Sequence, residues 1–116
     1  MTALSPQPEM AKVAKVFESK YGRVSDHNGF KNYAGVYLLK AAVERVGGWD
    51  QQKLRDCLHK NLFTAKETPG LLTDTYIFDN GDADRGSYIV EVKGGKSVVS
   101  QTLGLVGGPY KEHACK

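Results

Sequence analysis

A chain of 116 residues has the size of one domain and leaves little room for two that fold independently. Its hydrophobic fraction of 41% and charged fraction of 25% follow ordinary globular usage, with the charges interspersed, which excludes disorder between about Glu9 and Leu103. The net charge of +3 comes from 16 basic and 13 acidic residues without the dense basic stripe of a nucleic-acid binder, and no window approaches the roughly 18 consecutive apolar residues of a membrane span.

Residues 1–8 hold two prolines and no periodicity, so they are expected to be a flexible lead-in. The start Met1-Thr2-Ala3-Leu4-Ser5-Pro6 has neither the basic opening nor the apolar centre of a secretory signal, and the expectation is that nothing in it directs export. From Glu9, the residues Met10, Val13, Ala14, Phe17 and Tyr21 fall on one face at helical spacing until Gly22 stops the pattern. Ser25 and Asp26 can cap a second helix with Phe30, Tyr33, Ala34, Tyr37, Leu38, Ala41 and Ala42 in register, ended by Gly47-Gly48. Its apolar face is wide, which suits packing against a larger body than a small sheet.

Asp50 can cap a third, short helix with Leu54, Cys57, Leu58 and Leu62 facing inward. Pro69-Gly70 breaks the helical regime, and the period then becomes two. Thr75 to Phe78 predicts a brief strand that ends in the turn-forming Asp79-Asn80-Gly81-Asp82. Gly94-Gly95 predicts a tight hairpin turn, pairing Val92 with Ser97, Val90 with Val99 and Tyr88 with Gln101, and Thr102 to Val106 extends the second strand. The predicted class is α+β: about three helices, a short strand and an antiparallel β-hairpin, forming one unit over residues 9–106 with a tail at 107–116.

No motif supplies catalysis or metal binding. Asn80, Asp82, Asp84 and Glu91 occupy positions 1, 3, 5 and 12 of a calcium loop, but Arg85 stands where that loop needs glycine and a strand follows instead of a helix. Cys57 and His59 are two apart on a helix and point to different faces, so they form no local dyad. Two cysteines and three scattered histidines do not make a zinc site. Cys57 reads first as a core thiol, with a disulfide to Cys115 left open. Gly104 to Pro109 lacks phosphate-loop spacing and reads as a chain end. The group Asp26, His27, Asn28, Phe30 and Tyr33 at a helix mouth is the one constellation suited to a small molecule, beside its plain reading as a cap and a packed face. No catalytic residue, metal ligand or cofactor is assigned.

Three stretches carry a family resemblance: Phe17–Gly22; Asn28–Glu44; and Pro69-Gly70 followed by Phe78–Arg85 and Tyr88–Lys96. In order and spacing they resemble the end of the type I periplasmic binding proteins that serve ABC importers of branched-chain amino acids and related solutes. The resemblance implies a non-catalytic C-terminal segment of a two-lobed receptor, with a periplasmic location for the whole protein and a cytoplasmic one for this chain expressed as it stands. It places His27, Asn28 and Phe30 where the second helix nears the ligand cleft, with an amino acid or organic acid bound only when the remaining lobes are present. The partners it implies are those lobes and the transporter's membrane subunits, with no nucleic acid. The alternative is a truncated receptor that self-associates through its uncovered helix face and binds no ligand.

Overall fold

The computed structural model describes residues 1–113 and 115. Three helices come first: α1 at Pro8–Tyr21, α2 at His27–Val46 and α3 at Gln51–Leu58. Their ends are where local chemistry places them. The Asp26 carboxylate accepts a hydrogen bond from the Gly29 amide at 2.9 Å, and Asp50 accepts from the Lys53 amide at 3.0 Å, each satisfying an amide the helix leaves without a partner. Gly22 and Gly47 close α1 and α2 in left-handed conformations, returning their amides to the carbonyls of Glu18 and Val43.

Two small antiparallel sheets follow. Strands β1 (Asn61–Phe63), β2 (Thr75–Ile77) and β3 (Ala83–Arg85) form the first in the order β1-β2-β3, with a 3-10 turn at Pro69–Leu71 between β1 and β2. Strands β4 (Ser87–Lys93) and β5 (Lys96–Leu103) form a separate hairpin. The α+β class is therefore as expected, with two further strands, β1 and β3. Leu62, expected on the inner face of α3, lies instead in β1, because α3 ends at Leu58 and Lys60 turns the chain with a φ of 51°.

Gly94 and Gly95 take φ values of 57° and 77°, which the two-residue turn requires and which side chains oppose. Val92 pairs with Ser97 and Val90 with Val99, as the spacing predicts. Beyond that point the register slips. Ser100 is inserted as a bulge opposite the Ile89–Val90 step and donates its hydroxyl to the Ile89 carbonyl at 3.1 Å, so Tyr88 meets Thr102 rather than Gln101. β5 ends at Leu103, short of the predicted Val106.

The core has two parts, and α2 joins them. Ala41 and Ala42 pack with Leu54, Cys57, Phe63 and Leu71, while Phe30 packs with Met10 and Leu72. Gly70 lies flat on the Tyr37 ring, where a Cβ would collide with the ring carbons. The lead-in is anchored as well: Ser5 is buried, and Tyr88 donates its hydroxyl to Gln7 at 2.5 Å while accepting from Ser5 at 3.1 Å.

Cys57 is not a free core thiol. It is buried, as expected, but bonded to Cys115 across a separation of 58 residues, with Cα atoms 4.6 Å apart. Residues 106–113 consequently run back over the first sheet as a strap. Buried Asn61 holds it in the manner of a strand, accepting from the His113 amide at 2.8 Å and donating to the His113 carbonyl at 3.2 Å. Tyr110 stacks on Tyr76 with centroids 3.9 Å apart, and Glu112 pairs with Arg45 at 2.7 Å.

The hairpin projects from this body. The radius of gyration of 15.4 Å exceeds the roughly 13 Å expected for a chain of this length, and the molecule extends 51 Å along its longest axis against 22 Å along its shortest. Among the described residues, no helix is long and apolar enough to cross a membrane.

Candidate functional site

The three residues singled out at the mouth of α2 do not converge on one cavity. His27 and Asn28 are exposed in the first turn, the Asn28 carbonyl accepting from the Asn32 side chain at 3.0 Å. Phe30 is fully buried between Met10 and Leu72, so it fixes the helix to the body and offers no surface to a ligand. Ser25 is buried beneath the cap, its hydroxyl bonded to the Asp26 carbonyl at 3.1 Å, and Gly29 must stay small because a Cβ there would strike that hydroxyl.

The larger feature is an uncovered apolar surface on α1 and α2. A groove of about 330 Å³ is lined by Val13, Val16, Phe17, Tyr21 and Tyr33, with Lys12 and Lys20 at its edge. Phe17 and Tyr21 sit 4.7 Å apart, and the Arg23 guanidinium lies 5.4 Å from the Phe17 ring. The Tyr33 phenol is pushed above its ordinary range chiefly by its hydrogen bond with Tyr37 and then by burial. Continuing along α2, Val36 is 68% exposed and Leu39 40% exposed. Spaced three apart, Tyr33, Val36 and Leu39 make one stripe, on a different side from buried Ala34, Ala41 and Ala42. α2 thus has two apolar faces, one packed on this chain and one open. Helical spacing puts Val13, Phe17, Tyr21 and Tyr33 on apolar faces without saying what lies against them: Val13 also packs on the core, while Tyr21 and Tyr33 remain exposed.

The acidic stretch after β2 is engaged in structure. Asn80 and Asp82 bond each other across the turn at 2.9 and 3.0 Å. The Asp84 carboxylate accepts from the Val106 amide at 3.2 Å, the Gly107 amide at 2.9 Å and the Tyr110 hydroxyl at 2.7 Å. These bonds, the one from Tyr110 foremost, hold the Asp84 carboxyl below its usual range, and the same bond pushes Tyr110 up to about 12. Among the described residues, no three His, Cys, Asp or Glu side chains gather as metal ligands.

A third feature lies at the disulfide, where a cavity of about 520 Å³ is bordered by Arg45, Lys53, Asp56, His113 and both cysteines. Arg45 is held over the Phe63 ring at 4.2 Å and shares its guanidinium between Glu67 at 3.4 Å and Glu112 at 2.7 Å. Lys53 has no ion-pair partner among the described residues. Comparison with protein-family models, curated proteins and solved structures finds no match for this chain.

Proposed function

We propose that this chain is the closing, non-catalytic segment of a solute-binding protein for an ABC importer of branched-chain amino acids or similar small organic acids. The observation that carries the reading is the second apolar face of α2. A helix buried on one side by its own chain and open on the other through Tyr33, Val36 and Leu39 is built to lie between two bodies. The resemblance of Phe17–Gly22, Asn28–Glu44 and Phe78–Lys96 to the end of such receptors supports it. The Cys57–Cys115 bond supports the periplasmic location, since disulfides persist in oxidising compartments.

In this reading the remaining lobes cover α2, His27 and Asn28 border the cleft, and Phe30 anchors the helix from behind. The ligand is captured without chemistry. The chain alone supplies too few convergent polar groups and too little enclosure to bind it. Titration calorimetry of the isolated chain with leucine, valine and phenylalanine is expected to give no binding tighter than about millimolar, and micromolar affinity would contradict the half-site. Coexpression with a receptor of this class lacking its own closing segment should yield a complex that binds leucine and is lost in Val36→Asp/Leu39→Asp. A stable monomer that associates with no such lobe overturns the proposal. The rival reading, a self-associating module without a ligand, is favoured by the same open face. It predicts a concentration-dependent dimer in sedimentation that the double substitution dissolves.

A further inference from the structure

We propose that the Cys57–Cys115 bond is a thiol–disulfide exchange site, attacked at Cys115 by a small carboxylate-bearing thiol, and that its opening releases the strap at residues 106–113. Three observations converge on it. The two sulfurs differ in access: Cys57 is 1% exposed, whereas Cys115 is only half-buried. Both border a cavity large enough for a small thiol, about 520 Å³. Its rim is mainly basic, and the charges facing the disulfide are sorted by their bonds. Arg45 is paired with Glu67 and Glu112, and Asp56 with Arg55 while it also accepts from the Gln52 amide, whereas Lys53 is unpaired among the described residues. Lys53 therefore suits a carboxylate on the incoming thiol. One turn before Cys57 on α3, it also lies on the side of the helix where it favours the departing thiolate.

The chemistry balances with the thiol itself as reductant. Its thiolate attacks Cys115 Sγ, forming a mixed disulfide as the bond between the two cysteines breaks and Cys57 Sγ leaves with the electron pair and takes a proton. A second thiol attacks the mixed disulfide, giving the free Cys115 thiol and the oxidised small disulfide. Two thiols are oxidised and one protein disulfide is reduced. What remains on the strap is reversible: the two bonds between Asn61 and His113, the Tyr110 stack with its bond to Asp84, and the Arg45–Glu112 pair. Losing the covalent tie turns a permanent cover over Tyr76 into one that opens and closes.

The test uses mercaptoacetate and cysteamine at equal thiolate concentration, with acid quenching, mass mapping of the adduct and trypsin cleavage after exposed Lys111 as the measure of strap release. The adduct is expected on Cys115. Mercaptoacetate should react about fivefold faster than cysteamine, a preference lost in Lys53→Gln. Cleavage at Lys111 should rise at least about tenfold on opening, and Cys115→Ser, which leaves the core residue Cys57 in place, should show that fast cleavage without any thiol. An adduct on Cys57, equal rates for the two thiols, or cleavage at Lys111 indifferent to opening overturns the proposal.

Discussion

Asn61→Ala should be among the most damaging polar truncations in this chain, and its cost follows from what the side chain satisfies. Asn61 is fully buried and its amide donates to the Cys57 carbonyl at 2.8 Å, one of the acceptors that α3 leaves open at its C-terminus. Removing the amide strands that carbonyl in the core, at about 1–3 kcal/mol. The two bonds to the His113 backbone are lost as well, but His113 is exposed and can be hydrated, so they add only about 0.5–1.5 kcal/mol. A total of about 3 kcal/mol, with a urea dependence of about 2 kcal/mol per molar, moves the unfolding midpoint down by about 1.5 M. Urea titration followed by circular dichroism measures it. Repeating the substitution in the Cys115→Ser background separates the two contributions: with the strap untied and free to open, less of the His113 contribution is left to lose, and the shift should shrink toward about 1 M. A midpoint change below about 0.3 M would refute the clamp, and an identical shift in both backgrounds would refute its hold on the strap.

Gly70→Ala places a methyl group into the Tyr37 ring, and should cost about 1–3 kcal/mol in the same titration, with near-ultraviolet circular dichroism reporting the displaced tyrosine. Asp26→Ala removes the cap bond to Gly29 and should destabilise by about 1 kcal/mol, whereas Asp26→Ser should recover most of it. Strap attachment should depend on alkaline pH through Tyr110. Its phenol is raised from 10 to about 12, so its contribution is fully present below pH 10 and is lost as the pH rises through about 12; Tyr110→Phe should abolish the most alkaline step in an ultraviolet titration of the tyrosinates. The Asp84 carboxyl is depressed, so its contribution is present above its ordinary range near 4 and is lost as the pH falls through its lowered value.

Where the determining partners lie within a few residues, the chain could be read directly. Asp26 and Asp50 cap helices through amides three positions ahead, Gly22 and Gly47 end them, and Gly94-Gly95 sets a hairpin whose first pairs follow by counting. Ser100 breaks that count because a bulge leaves no mark in an alternating pattern. β1 and β3 leave no such mark: Asn61–Phe63 and Ala83–Arg85 lack the β-prone run that signals the equally short β2, and they exist only because β2 pairs with both. The candidate site was half legible. Helical spacing marked Val13, Phe17, Tyr21 and Tyr33 as apolar positions, yet which of them meet a partner depends on what else the fold places there. Phe30 likewise belongs to the core by virtue of Met10 and Leu72, 20 residues before it and 42 after it.

Tertiary structure alone decided the path of residues 106–113. Asn61 and His113 are 52 positions apart, and Cys57 and Cys115 are 58. A glycine-rich run followed by a polar end carries no local preference for docking, so its path is fixed by distant groups: a buried asparagine side chain, a carboxylate collecting amides, a half-buried tyrosine ring. Local sequence determined the helices and the turn because their free energy is settled over one turn of chain; the strap required the body to be folded before anything existed for it to bind.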